Sequence, residues 1–138
     1  MRYPCGNRSK ETNNYKPNTN EMFKIVEKRK LAENIFEMKI AAERVARAAQ
    51  PGQFVIVRGD ENSERIPLTI ADYDTEAGTV TIVTHTIGMS KKKICALEEG
   101  GAFADVAGPL GQPSEFISLP DEELKKMSFV FIAGGLGT

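Results

Sequence analysis

Hydrophobic residues along this chain recur mainly with a period of two, from Met22 onward. Ile35-Phe-Glu-Met-Lys-Ile40 alternates cleanly, with Phe36, Met38 and Ile40 on one face and Glu37 and Lys39 on the other, the signature of a half-buried strand. Phe23-Lys-Ile-Val-Glu-Lys-Arg29 is strand-like too, and Leu31-Ala-Glu-Asn34 makes the turn between them. Residues 41–49 favour helix and are stopped by Pro51, since the residue before a proline is pushed out of the helical region. Pro51-Gly52-Gln53 then leads into Phe54-Val-Ile-Val57, apolar on both faces. Arg65 to Ala71 is the next strand, Asp72 to Gly78 a turn-rich loop, and Thr79 to Thr86 is strongly β-forming. A helix from about Ser90 to Leu97, closed by Gly100 near its C′ position, precedes a last strand over Ala102–Val106. Six short strands with one helix before the sixth predict an all-β fold, a closed antiparallel Greek-key barrel.

Outside the barrel the pattern changes twice. Residues 1–21 carry almost no aliphatic side chains and cannot offset their own ordering entropy, so they read as a disordered leader, with Met22 a natural first residue. After Gly108-Pro-Leu-Gly111 the segment from Pro113 to Lys126 reads as a connector, with a helical turn at Asp121-Glu-Glu-Leu-Lys-Lys126. Phe129-Val-Phe-Ile132 then reads as a buried strand running into Gly134-Gly-Leu-Gly-Thr138. A strand followed by a glycine-rich turn is how a nucleotide-binding α/β unit begins, because glycine lets backbone approach a pyrophosphate. The expected organisation is a leader (1–21), a barrel domain (22–112), a connector (113–127) and the first strand of a second domain (128–138), as in the front part of a larger protein.

Composition narrows the classes of function. The 138 residues are 41% hydrophobic and 27% charged, and a formal net charge of −1 gives no reason to expect nucleic acid or an anionic membrane as partner. No apolar run approaches the ~18 residues of a membrane span and no signal-peptide layout opens the chain, which makes cytoplasm the expected location. Cys5 and Cys95 are far apart and His85 is the single histidine, so a disulfide framework, a multi-histidine metal centre and a metal site of any kind are not expected.

Two segments carry candidate chemistry. Gly88-Met-Ser90 stands before Lys91, Lys92 and Lys93, placing three cations in the first turn of the expected helix, where they oppose the helix dipole. Free N–H groups, the Ser90 hydroxyl and a glycine would seat a phosphate there; the alternative is lysines in water and Ser90 as a simple N-cap. In Arg65-Ile-Pro-Leu-Thr69 the arginine suits a diphosphate, and a proline within a strand marks an edge or a break; the alternative is an ordinary edge strand with a surface arginine.

Pro51-Gly-Gln-Phe54, Arg65-Ile-Pro-Leu-Thr-Ile70, Gly88-Met-Ser90, Gly108-Pro-Leu-Gly111 and Ala133-Gly-Gly-Leu-Gly-Thr138 occur in the order seen in the ferredoxin–NADP reductase superfamily. Over residues 22–138 the chain most resembles the small flavoprotein subunits of NADH-dependent ferredoxin:NADP oxidoreductases, also known as sulfide dehydrogenases; the electron-transfer subunit of dihydroorotate dehydrogenase is the runner-up. The resemblance implies an FAD-binding barrel followed by an NAD(P)H-binding domain. Pro67 and Leu68 would line the isoalloxazine, with Thr69 near its N5/O4 edge. Ile82, Val83 and Thr84 would lie along the ribityl and adenosine side, and Gly88, Met89 and Ser90 would hold the pyrophosphate. Gly108 to Gly111 would sit at the junction of the two domains.

Two positions depart from the family pattern. Its arginine stands three residues before the hydroxyl residue, whereas Arg65 stands four before Thr69; one extra residue reverses the face in a strand, which argues against Arg65 as the pyrophosphate clamp. Relatives often carry a second hydroxyl after the Ser90 position, where this chain has Lys91, a residue that either supplies charge in its place or weakens binding.

The resemblance also implies partners: a larger subunit bearing flavin and iron–sulfur centres, and ferredoxin. It further implies a [2Fe–2S] cluster whose cysteine ligands do not occur in this sequence. No catalytic side chain is expected, since the flavin carries the chemistry, and this chain alone is expected to bind flavin at most. The 129–132 strand, without its sheet, would be an apolar edge open to self-association. A cofactor-free barrel acting as an interaction module is the reading from a different class.

Overall fold

A two-residue turn at Glu33-Asn34 folds β1 (Ile25–Ala32) back on β2 (Ile35–Ala41). The computed structural model, which describes residues 23–137, continues through α1 (Glu43–Ala48), β3 (Phe54–Arg58), β4 (Ile66–Asp74), β5 (Thr79–His85), α2 (Met89–Cys95) and β6 (Asp105–Leu110). The strands lie in the order β1-β2-β5-β4-β3-β6 with every neighbouring pair antiparallel. β3, β4 and β5 follow one another as hairpins while β2 returns beside β5, which is a Greek key. The two outer strands are then joined by residues 100–103. Ile25 N–H donates to the Gly101 carbonyl at 2.7 Å, Gly100 N–H to Ile25 at 2.9 Å and Phe103 N–H to Phe23 at 3.0 Å. The sheet is thereby closed into a barrel, which removes the exposed edges that six strands would otherwise leave.

Alternation fills the interior. Met38, Ile40, Val55, Val57, Val80 and Ile82 are fully buried, and Val45 and Ala46 of α1 and Ile94 of α2 join the same core. Each such aliphatic side chain stabilises the fold by roughly 1.5–3 kcal/mol relative to exposure.

Several boundaries differ from the sequence-based expectation. The last strand begins at Asp105, not Ala102, because Ala102 and Phe103 are occupied by bridging to Lys24 and Phe23, just ahead of β1. Gly108 to Leu110 therefore belong to β6. α2 spans Met89–Cys95 and is capped at Ala96, so Gly100 is not its C′ residue; at φ +83° it turns the chain toward β1. No strand forms at residues 129–132, where Val130, Phe131 and Ile132 are 85%, 88% and 97% exposed: no neighbouring strand supplies a ladder. Phe129 meets the ring of Phe116 edge-on at 5.8 Å. The expected turn at residues 121–126 contains α3 (Asp121–Leu124). The leader at 1–21 lies outside the described residues.

One cation ties the barrel to its helix. Lys28 on β1 pairs with Met38 and its side chain is only 9% exposed. An ammonium this enclosed needs acceptors. It donates to the Cys95 carbonyl at 2.8 Å and to Glu98 Oε1 at 2.8 Å, and lies 5.0 Å from the centre of the Phe36 ring. Cys95 is the last residue of α2, so the charge sits at the negative end of the helix dipole. Lys28→Met keeps most of the stem and removes these bonds; a loss of about 1–3 kcal/mol is expected, read as a lower urea midpoint with unchanged slope. An unchanged midpoint would show that the contact stabilises nothing.

Candidate functional site

The inward set of β3, Val55 and Val57, leaves Phe54 and Ile56 half-buried on the outside. On β4 the same alternation buries Ile66, Leu68 and Ile70 and exposes Pro67 and Thr69. Register aligns the outward residues into rows: Phe54 lies between Thr69 and Leu110, and Ile56 between Pro67 and Ala107. A flat, largely apolar surface thus crosses β4, β3 and β6. Two glycines allow the chain to close beneath it. A Cβ at Gly111 (φ +80°) would stand 2.9 Å from the Phe54 ring, and one at Gly52 (φ +95°) would stand 2.5 Å from Ser114 Oγ.

Beside this face the barrel wall splits. β4 pairs with β5 from Ile70 to Asp74, whereas residues 66–69 pair with β3 alone. Pro67, which has no N–H to donate, sits in the stretch that β5 leaves unpaired, the break that its position in a strand implied. The opposite lip is the end of β5, whose residues 83–85 pair only with β2. Above the opening, Gly88 (φ +91°) starts α2, with nothing within 4 Å of where its Cβ would stand.

Polar groups ring the opening. Ser90 Oγ donates to Glu64 Oε2 at 2.5 Å. Arg65 Nη1 pairs with Asp105 Oδ2 at 3.0 Å, with side chains 55% and 30% exposed, a pair worth at most about 1 kcal/mol. Asp105 is also the cross-strand partner of Arg58. His85 Nδ1 accepts the Ile87 N–H at 3.2 Å, and Nε2 lies 3.4 Å from Lys91 Nζ. The Asp60 carboxyl is held below its ordinary value by the neighbouring Ser63 and by the Asn62 N–H, which donates to Oδ1 at 2.9 Å, helped by the charge of Lys93. Lys92 and Lys93 fall in the last turn of the seven-residue helix, where cations are favourable. Of the three lysines expected to oppose the dipole, Lys91 alone does so.

The structure brings Pro67, Thr69, Gly88, Met89 and Ser90 to exposed or half-buried positions around the opening, with Val83 half-buried on β5. Leu68 and Ile82 point into the core, 7% and 0% exposed, leaving only their backbone for an external ligand. Thr84 is also interior, at 1% exposure and with its hydroxyl unbonded among the described residues. Arg65 shares the outward face of Pro67 and Thr69 and is drawn toward β6 by Asp105; Ile66, at the three-residue spacing, is buried. Glu64, His85 and the outward pair Phe54 and Ile56 were not singled out as site residues, although the two-faced apolarity of β3 was a signal for the last two. Burial raises the Cys95 thiol above its ordinary value, against the nearby charges of Lys28 and Lys91, which makes it a packing residue and not a nucleophile. Among the described residues there is no cluster of metal-binding side chains and no helix long and apolar enough to cross a membrane.

No protein-family model matches the chain. It is 60% identical over 116 residues to an uncharacterised protein of Clostridium beijerinckii, a stretch covering 84% of this chain and 39% of that protein. It is 44% identical over 91 residues to the dihydroorotate dehydrogenase B (NAD(+)) electron transfer subunit homolog of Thermotoga maritima, covering 66% of this chain and 32% of that protein. Among solved structures, that of the NADH-dependent reduced ferredoxin-NADP oxidoreductase superposes with a TM-score of 0.67 at 42% identity, over 68% of this chain and 34% of that one. The chain therefore spans well under half the length of the relatives it matches. The closed Greek-key barrel, the split beside Pro67 and these relatives agree, and the chain belongs to the ferredoxin–NADP reductase superfamily.

Proposed function

We propose that residues 22–112 are the FAD-binding barrel of a flavin-dependent oxidoreductase subunit, which passes electrons between a nicotinamide nucleotide and an iron–sulfur or ferredoxin partner. One observation carries this reading: the opening between β4 and β5 lies beside a flat apolar face, with Thr69 on one lip and Gly88–Ser90 above. An isoalloxazine needs a flat apolar wall and a few polar groups at its edge. Phe54, Ile56, Pro67 and Leu110 supply the wall and the Thr69 hydroxyl an edge. The residues present therefore fit a flavin.

The flavin, when bound, supplies the hydride and one-electron chemistry. This chain binds and orients it. Pro67 and the outward residues of β3 would hold its ring, the Thr69 hydroxyl would hydrogen-bond it, and Val83, the backbone of Leu68 and Ile82, and Gly88, Met89 and Ser90 would hold the rest of the dinucleotide. Arg65 braces Asp105 and does not hold the diphosphate. Residues 113–127 act as the connector, and 128–138 lead into the nicotinamide-binding domain. The nicotinamide site and the [2Fe–2S] ligands belong to the rest of the parent protein, and the larger flavin- and cluster-bearing subunit is its partner. The exposed apolar run at 129–132 supports a protein contact there, since patches of this kind rarely stay bare. The relative from Thermotoga maritima supports a second reading, the electron-transfer subunit of a dihydroorotate dehydrogenase.

Titration of the purified chain with FAD, followed by visible absorption, tests the proposal. A shifted flavin band with FAD preferred over FMN is expected, and Thr69→Val should weaken binding about fivefold, the equivalent of one modest hydrogen bond. A flavin spectrum left unchanged, in this chain and in the full-length parent alike, would overturn the flavin reading and favour an interaction module.

A further inference from the structure

We propose that Gln53 is a positioning residue for the flavin ring: its side-chain amide ties the segment that leaves β6 to Phe54, so the wall of the site is set by that segment. The inference rests on the flavin-binding reading above and assigns a residue that acts on that same site through Phe54.

A side-chain amide is fixed in one orientation when its two ends meet partners of opposite kind. At Gln53 they do. The Gln50 N–H donates to Oε1 at 2.9 Å, and Nε2 donates to the Gly111 carbonyl at 3.0 Å. A backbone N–H only donates and a carbonyl only accepts, so exchanging the two ends would break both bonds. The backbone of the same residue is held as well. Its N–H donates to the Gln50 carbonyl at 3.3 Å, and its carbonyl accepts the Ile70 N–H at 3.1 Å. Ile70 is the residue at which β4 changes partner from β3 to β5, at the edge of the opening. Gln53 thus joins the turn after α1, one lip of the opening and the exit from β6.

The exit from β6 runs against the Phe54 ring. Gly111 has a φ of +80°, and a Cβ there would stand 2.9 Å from Phe54 Cε1 and 3.0 Å from Cδ1. The ring therefore packs on bare backbone at Gly111, with Thr69 and Leu110 as its cross-strand neighbours. A second tie follows: the Ser114 N–H donates to the Pro51 carbonyl at 2.9 Å, and a Cβ at Gly52 would stand 2.5 Å from Ser114 Oγ. Residues 51–54 and 111–114 are packed as one unit, with the Gln53 amide bridging them beside the ring. Without the bond to Gly111 the exit segment is free to lift from Phe54. The half-buried ring then gains freedom that a bound flavin must remove, at a cost in affinity.

Riboflavin and FAD titrations of the wild-type chain, Gln53→Glu, Phe54→Leu and the double variant test the assignment. Glutamate keeps an acceptor for the Gln50 N–H and loses the donor to Gly111. Gln53→Glu should weaken both flavins by the same factor, about fivefold for one hydrogen bond, because the wall meets the ring that both share. In the Phe54→Leu background the same change should cost less than about twofold, since the pathway is already cut. Without flavin, NMR cross-peaks between the Phe54 ring and the Gly111 α-protons should be strong in the wild-type chain and weakened in Gln53→Glu. The proposal is overturned if Gln53→Glu binds both flavins as tightly as wild type, if its loss is equal in the two backgrounds, or if the cross-peaks survive the substitution intact. Failure of both flavins to bind the wild-type chain and the full-length parent removes the flavin reading itself, so the two failures are distinguishable.

Discussion

Closure of the barrel governs everything else in this chain. Once residues 100–103 are hydrogen-bonded to the start of β1, the chain must cross from β5 to β6 between fixed ends. α2 makes that crossing. Ile94 buries its inner face in the core, and Lys28 grips its last carbonyl from β1. With the C-terminal end held by a nearly buried ammonium and the N-terminal end by Ser90 on Glu64, a helix of seven residues, too short to persist alone, is given one orientation.

The same closure explains where the wall can open. Seven consecutive register pairs join β2 to β5, whereas β4 and β5 part company before Ile70, at the point where Pro67 withholds a donor and a bulge separates Ile70 from Asp72. Backbone groups on the two lips are then available to a ligand, while core packing beneath them stays intact through Leu68 and Ile82. The site is thus a gap in hydrogen bonding over a filled interior. That arrangement allows a flat cofactor to be bound without hollowing the barrel.

Most of the fold was legible in local pattern. Alternation and β propensity identified the first five strands and placed the sixth three residues early, and the Pro51 stop and the Gly88 start bracketed the two helices near the barrel. What local pattern missed depended on contacts far apart in sequence. Ala102 was read as the start of the last strand but bridges instead to Lys24, 78 positions away by their numbering, and the Lys28–Cys95 bond spans 67 positions. Phe129 to Ile132 have strand composition without a neighbouring strand, so propensity alone did not make a ladder there. The site was read half from pattern and half from resemblance. Pro67 and Thr69 stand on the outer face, while the alternation Ile66-Leu68-Ile70 already assigned Leu68 to the interior. Glu64 meeting Ser90 and His85 meeting Lys91 had no signal in spacing, because each depends on how α2 is set across the barrel.

The central claim is that one face of a closed barrel, at the gap between β4 and β5, is built for a flavin dinucleotide. Backbone amide shifts of the isotope-labelled chain, recorded by NMR during FAD addition, test it most directly. The account predicts that the perturbed amides cluster at residues 54–56, 68–70, 83–91 and 107–111, with α1 and the β1–β2 turn unaffected. Shifts concentrated at α1 or along β1, or none at saturating FAD, would contradict it.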